Sequence, residues 1–336
     1  MKTIPVNVGL DYHTSGVQVC VMDTEGALLR NGKCENDWRA IAARVRAGER
    51  VESAVIEACT GAADLADELL GKAGWPMVMA LPGVVKRMKS NPDKTDWADA
   101  RLLADLGRVK YVPRVWLAPV AVRELRLVAR YRQQLVDERR ACKLRIGAVL
   151  RQQRVMLPGT RWSKGWLKGL SEAKTLSPQG RWVVEQHLHK LAWLKQEIGR
   201  VEDYLAQLGS QDWMVRWLVS FKGIGVLTAC ALRAELGSFQ RFRSGKQLAR
   251  YCALTPRNAP SGTRQADAGV IKAGNPLLRR TLIEAAHRLA RFEPRWKEMR
   301  ERMRAQGKPG SVIAVAIANR WMRGLHHHGV QREAAA

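Results

Sequence analysis

The sequence predicts a mixed α/β domain at the N-terminus, a helical coiled-coil middle and a mainly α C-terminal domain. Three observations predict it. Residues 1–112 begin with hairpin-forming strands and then alternate strand with helix. Residues 113–210 carry apolar residues at heptad spacing. Residues 211–325 read as helices broken by glycine- and proline-rich turns.

In the first part, VNVGL (6–10), GVQVCVM (16–22) and ALLRNGK (27–33) read as three strands, with DTEG (23–26) as a turn. A helix is expected over 36–47, a strand over 52–59, a helix over 62–73 and a strand over 76–81. A further helix runs through KTDWADARLLADL (94–106), with Leu102, Leu103 and Leu106 available for a core. In the middle part Val128, Leu135, Cys142 and Val149 recur every seven residues. After a Gly/Trp/Lys-rich interruption at 158–170, Val184, Leu191, Ile198 and Leu205 do the same, beside Leu194, Val201 and Leu208. The seams fit an antiparallel coiled-coil hairpin, a dimer interface or an ordinary bundle core. The last eleven residues, 326–336, contain three histidines (326–328) and end in EAAA. They are expected to form a flexible tail, with metal binding by the histidines the less favoured reading.

The chain has 336 residues, with 57 Lys and Arg against 31 Asp and Glu, a formal charge of +26. Such an excess points to a polyanionic partner, DNA or RNA. Six cysteines are scattered without a C-x-x-C pair, which argues against a structural zinc site and a disulfide framework. No signal peptide or membrane span is expected, and a cytoplasmic, nucleoid-associated location follows.

Against this basic background four acids stand out. Asp11 ends the first strand, and Glu57 lies in the apolar run AVIEAC, where a lone carboxylate is costly unless paired or metal-bound. Asp96 and Asp99 are three residues apart, one turn of the same helical face. Like charges so placed repel, unless divalent cations lie between them; hard oxygen donors suit Mg²⁺ or Mn²⁺. RNase-H-like folds place their first metal ligand at the end of such a strand, and paired metals there serve phosphodiester chemistry. The plainer reading makes Asp96 a helix N-cap and Asp99 a dipole-matching acid. Sugar kinases and actin-like ATPases share the strand–Asp–hairpin start, but their second phosphate hairpin and adenosine glycines are absent from 120–330.

In the C-terminal part SFKGIGVLTACALRAELGSF (220–239) has the form of a helix-hairpin-helix element. Lys222, Gly223 and Gly225 would bring cation and backbone N–H groups to a DNA phosphate. An unliganded αα-hairpin is the alternative. LTPRNAPSGTRQADAGVIKAGNPLLRR (254–280) reads as a polar loop leading into a basic helix. Ser261 is flanked there by Arg257, Arg264 and Lys272, with Arg279 and Arg280 following, and residue type alone makes it a weak candidate nucleophile.

Together IEACTG (56–61), KTDWADARLLA (94–104), GIGVLTACALRAELGSFQRF (223–242), ALTPRNAPSG (253–262) and KAGNPLLRRTLIEAA (272–286), with Asp11 after its strand, resemble the insertion sequence 110 family of transposases. These are bridge-RNA-guided DEDD recombinases, and the likeness covers nearly the full length. It implies a RuvC-like (RNase-H-like) N-terminal domain with Asp11, Glu57, Asp96 and Asp99 as Mg²⁺ ligands. It also implies a C-terminal transposase domain whose nucleophile falls on Ser261, giving a covalent phosphoserine intermediate. A noncoding guide RNA would select donor and target DNA, and dimers would pair into tetramers. Three departures from the family pattern stand out. The loop after Ser261 is about one residue short, Ala253 stands where a glycine is common, and Tyr12-His13-Thr14 lacks a lysine often found there. The alternatives are a RuvC-like Holliday-junction-type endonuclease using water, or a non-catalytic basic nucleic-acid-binding scaffold.

Overall fold

A computed structural model describes residues 3–88, 95–261, 264–270 and 274–335, with side chains outside 256–270. The chain divides into two compact units, Met1–Pro119 and Val120–Ala336.

The first unit is built on a six-stranded sheet. Its elements in chain order are β1 (Ile4–His13), β2 (Gly16–Asp23), β3 (Leu28–Cys34), α1 (Trp38–Ala42), β4 (Glu49–Glu57), α2 (Ala62–Lys72), β5 (Met77–Ala80), α3 (Pro82–Met88), α4 (Asp96–Arg108) and β6 (Arg114–Val115). The strand order is β3-β2-β1-β4-β5-β6. β1, β2 and β3 form an antiparallel meander, β4 and β5 run parallel to β1, and β6 closes the edge antiparallel. The hairpin strands and the later alternation are thus as the sequence implies. The expected 36–47 helix is only the five residues of α1, capped by the Asp37 carboxylate. The unit includes β6 and runs to Pro119, seven residues past the expected boundary at 112.

Strand alternation divides the sheet into two faces. Val6, Val8 and Leu10 of β1, Val17, Val19 and Val21 of β2, and Ala54 and Ile56 of β4 pack with Leu65, Ala66 and Leu69 of α2. The opposite face takes α4: Cys20 and Met22 pack with Ala100 and Ala104, and Val55 with Leu103 and Leu106. Contact there is close because Gly9 has no side chain. A Cβ at residue 9 would overlap the Ala100 carbonyl oxygen and the Ala104 amide nitrogen, both backbone atoms of α4. Gly107 performs the same service at the other end of the helix, where a Cβ would lie 2.9 Å from a Val55 methyl.

The second unit comprises α5 (Val120–Gln152), α6 (Lys164–Glu172), α7 (Pro178–Ser210), α8 (Trp213–Val219), α9 (Val226–Leu236), α10 (Gly245–Tyr251), β7 (Pro256–Ser261), β8 (Arg264–Val270), α11 (Pro276–Phe292), α12 (Pro294–Ala305) and α13 (Gly310–Ala335). α5 and α7 lie antiparallel, as the pairs Arg132–Glu202, Glu138–Lys190 and Gln153–Ser177 require. Their seam buries Leu135, Cys142, Leu194 and Ile198, while Leu208, expected in the same row, is 36% exposed. One core joins Leu125, Ala129 and Leu205 of these helices to α8–α13, so the expected middle and C-terminal segments share a single unit.

Two expectations are corrected here. Residues 256–261 and 264–270, read as part of a polar loop, are the antiparallel strands β7 and β8. The expected flexible tail is helical to Ala335: Leu325 is buried, His326 Nε2 lies 2.9 Å from the Phe242 carbonyl, and Glu333 accepts from the Phe239 amide at 2.8 Å. The carbonyl contact gives His326 a structural role.

The Gly9 contact leads to a sharp expectation. Gly9→Ala should cost the N-terminal unit about 3 kcal/mol, because backbone must move to admit the methyl group. Hydrogen exchange of β1 and α4 amides reads this unit alone and should accelerate roughly a hundredfold; unchanged protection would contradict the close packing.

Candidate metal centre and serine hairpin

The acids predicted from sequence come from three elements that meet on the α4 face of the sheet. Asp11 is two residues beyond Gly9 and so shares its face. Glu57 is likewise two beyond Val55, and β1 and β4 run parallel with Leu10 opposite Ile56, which brings their ends side by side. Asp96 and Asp99 occupy the first turn of α4. The cap of that helix is Thr95, whose Oγ1 accepts from the Ala98 amide at 3.2 Å. Asp96 is therefore not the N-cap, and the plainer reading of it fails.

The electrostatics record this convergence. Burial pushes the Asp11 carboxyl above its usual range; His13 pulls it down, and the charges of Asp99 and Asp96 push it up again. Burial also raises the Cys59 thiol, helped by the charges of Glu57 and Asp11. Asp99 is only 8% exposed. Asp11, Asp96 and Asp99 act on one another in a partly desolvated corner, with Glu57 linked to Asp11 through their common influence on Cys59, and such a corner favours cationic compensation.

The chain supplies some of that compensation through residues the motif reading missed. His13 Nε2 lies 3.2 Å from Asp11 Oδ2 and 3.4 Å from Asp96 Oδ1. Lys33 Nζ lies 2.8 Å from Asp96 Oδ2, and that hydrogen bond holds the Asp96 carboxyl below its usual range. Asn31, two residues before Lys33, donates from Nδ2 to the Trp97 carbonyl at 2.9 Å and accepts from Gln18 Nε2 at 2.6 Å. β3 therefore grips the first turn of α4 through Asn31 and Lys33. Only the alternation of β3 hinted at this, since the contacts are 63 or more residues apart in sequence.

Asp11, His13 and Asp96 present ligand atoms all within 4.8 Å of one another. The donor set fits a hard divalent cation: carboxylate oxygens predominate, and the imidazole and ammonium now hold positions where a metal's charge would serve. Asp11 and Asp96 are the predicted acids that the geometry brings together for it, while Asp99 and Glu57 fall outside that group of ligand atoms.

In the second unit the glycine turn lies between α8 and α9. Gly223 has φ of +88°, and a Cβ there would meet the Arg288 backbone and the Phe292 ring at 3.2 Å. Arg288 Nε donates to the Gly223 carbonyl at 3.0 Å. This glycine is thus needed for packing on α11, while Gly225 borders open space and Lys222 is exposed. Arg280, expected at nucleic acid, lies 3.1 Å from Asp137. Arg279 is half-buried in α11. Arg257, Ser261 and Arg264 fall on the hairpin, described by its backbone only: Ser261 ends β7 and pairs with Arg264 across the turn. Lys272 lies outside the described residues.

Both ends of that hairpin are tied to one buried residue, Glu235, through its carboxylate on one side and its backbone carbonyl on the other. Glu235 closes α9 at 2% exposure and receives Arg130 Nε at 2.8 Å and Nη2 at 3.0 Å. Asn275, just after the hairpin, donates Nδ2 to Glu235 Oε2 at 2.6 Å, while its Oδ1 caps α11. Tyr251, just before it, donates its hydroxyl to the Glu235 carbonyl at 3.2 Å, and its own carbonyl accepts from the Asn275 amide at 3.3 Å. Ala253 enters the hairpin with φ of +56°, a left-handed conformation costing a non-glycine about 1 kcal/mol. A glycine would adopt this conformation without that cost.

Removing Arg130 leaves Glu235 buried without its bidentate partner. Arg130→Met should therefore destabilise the second unit by about 3 kcal/mol, toward the low end for buried pairs because the arginine itself is half exposed. Adding Glu235→Gln should recover part of that loss, in a double-mutant cycle followed by chemical denaturation. Additive losses would show the pair is not coupled.

The sequence matches two family models. A DEDD transposase model of the IS110 type matches residues 8–154, and the model described as transposase IS116/IS110/IS902 family matches residues 215–301. The first span contains all four acids, the second the glycine turn and the serine hairpin. The chain is 28% identical over 297 residues to the transposase for insertion sequence element IS1111A of Coxiella burnetii, covering 87% of this chain and 79% of that one. It is 28% identical over 278 residues to a probable family 20 transposase of Pseudomonas aeruginosa, covering 79% and 80%. A transposase for element IS1328 of Yersinia enterocolitica is 25% identical over 273 residues, covering 80% of each. The chain belongs to the IS110 family of transposases and is a DNA transposase.

Proposed function

We propose that this transposase cuts and exchanges DNA strands through a phosphoserine intermediate formed on Ser261, assisted by Mg²⁺ at Asp11, Glu57, Asp96 and Asp99. The observation that carries the reading is the meeting of the ends of β1 and β4 with the first turn of α4. That arrangement supports a RuvC-like domain.

In the proposed reaction Ser261 Oγ attacks a DNA phosphorus. The Oγ–P bond forms as the bond from phosphorus to one strand oxygen breaks; the Oγ proton passes to water, and the departing oxygen takes one up. A bound divalent cation supplies Lewis-acid activation of the phosphate and offsets its charge. Asp11 and Glu57 hold their carboxylates on rigid strands, and Thr95 and Asn31 fix the turn that carries Asp96 and Asp99. Arg257, Arg264 and Lys272 would balance charge at the transferred phosphate, and the helix-hairpin-helix-like turn at Lys222, Gly223 and Gly225, with Arg279 and Arg280, would hold flanking backbone. A noncoding bridge RNA would choose donor and target by base pairing. Dimers pairing into tetramers would bring Ser261 of one subunit to the acids of another. The α5–α7 pair would serve as the coiled coil linking the two functional parts.

The test uses the full chain with Mg²⁺, the element's own RNA and labelled junction DNA, resolved on a denaturing gel. A protein–DNA adduct should form in wild type and disappear in Ser261→Ala, while Asp11→Ala should reduce it at least about a hundredfold. Cleavage without an adduct, persisting in Ser261→Ala, would establish a water-using nuclease instead.

Metal binding is separable from chemistry. Mg²⁺ or Mn²⁺ should raise the melting temperature of wild type and of Ser261→Ala alike, but not of Asp11→Ala/Asp96→Ala. An equal shift in all three would move the metal away from these acids.

A further inference from the structure

Between Glu138 and Glu172 the chain carries nine Lys and Arg and no acidic residue. This stretch is the end of α5, the connection 153–163 and most of α6, the far end of the α5–α7 hairpin. It is a folded tip: Ile146, Leu150, Val155, Trp166, Leu170 and Val184 enclose a small core of its own. Its cations are presented by rigid structure.

On α5, Arg140, Lys143, Gly147 and Arg151 follow one another at three- and four-residue spacing, a single stripe about 16 Å long. The glycine in its middle leaves room that two guanidinium groups occupy. A Cβ on Gly147 would lie 3.4 Å from Arg151 Nη1 and 3.9 Å from Arg161 Nη1. Arg161 is brought there from the connection by its neighbour Trp162. That ring packs against buried Trp166 at 4.9 Å and carries the Lys143 ammonium over its face at 4.8 Å. Among the described residues neither Arg151 nor Arg161 forms an ion pair; the acid at the edge of the tip, Glu172, is 3.9 Å from Lys168. Two guanidinium groups drawn to one point without a carboxylate repel, and an anion between them removes the penalty.

We infer that this tip is a DNA-binding surface, in which Arg151 and Arg161 hold one phosphate of duplex DNA over Gly147. Arg140, Arg145, Arg154 and Lys164, all exposed, extend the contact to neighbouring phosphates. The mode is contact with the backbone rather than with bases. Single-stranded partners are gripped by exposed aromatic platforms, and here Trp166 is buried and Trp162 is covered by Lys143. The surface uses neither the serine hairpin nor the acids, so it would add affinity without supplying a group to the reacting phosphate.

The experiment compares the full-length wild type with Arg151→Ala/Arg161→Ala in binding to duplex DNA of unrelated sequence, by fluorescence anisotropy across a salt series. Arg39→Ala/Arg50→Ala, which removes the same charge from the N-terminal unit, is the control. Thermal melts establish that each variant is folded. The tip variant should bind about tenfold more weakly at low salt, and its log–log salt slope should be shallower by about 1, for the one phosphate released. The control should stay within about twofold of wild type. Unchanged DNA binding, or an equal loss in both variants, would overturn the site. Loss on a structured RNA with duplex DNA unaffected would overturn the assignment to DNA.

Discussion

The N-terminal unit depends on a contact between two backbones. Because residue 9 is glycine, α4 lies directly against β1, its Ala100 and Ala104 main chain where a side chain would otherwise be. That distance decides where the first turn of α4 falls relative to the end of β1. Two carboxylates on that turn are then held against Asp11 and beside the end of β4. The cost of gathering like charges is met by packing on the rest of the helix, through Leu103, Leu106, Ala100 and Ala104. Hydrophobic burial holds in place an arrangement that electrostatics alone would disperse.

Much of this was legible before any coordinates. Alternation of apolar residues marked the strands, and an acid inside an apolar run, AVIEAC, was conspicuous because it broke the pattern. Asp96 and Asp99 were visible from their spacing. Lys33 and His13 were not, because nothing in ALLRNGK or DYHT distinguishes a charge at a site from one in solvent; only the β2–β3 register and the α4 contact do so. The β7–β8 hairpin was missed for the opposite reason. Its strands PRNAPS and RQADAGV have neither β-branched enrichment nor apolar alternation, so local pattern predicted a loop. The end of α13 was also missed: glycines and three histidines looked like a frayed terminus. Gly329 instead sits tight on the Phe239 ring, where a Cβ would lie 2.5 Å from its edge, and Leu325 is buried beside it.

In the second unit the burden falls on Glu235. A carboxylate at 2% exposure is expensive, yet it is met by Arg130 of α5 and by Asn275 after the hairpin, while Tyr251, before the hairpin, donates to the backbone carbonyl of the same residue. Packing alone would fix the helices. What a buried, directional network adds is the closure of the hairpin base, between Tyr251 and Asn275, at one defined place. The left-handed Ala253 fits this picture, since strain at the entry to a functional loop persists only where surrounding structure over-determines it.

Both units thus solve an electrostatic problem in the same way, with opposite sign. The N-terminal site gathers carboxylates and offsets them incompletely with His13 and Lys33. The helical tip gathers guanidinium groups that form no ion pair among the described residues. Each cluster is unfavourable alone and held by apolar packing nearby, and each is relieved by a mobile counter-charge. For the acids a hard cation would serve; for the arginines, a phosphate would. A DNA backbone with its divalent counter-ions carries both, so under the two proposals one substrate would relieve the repulsion at each cluster.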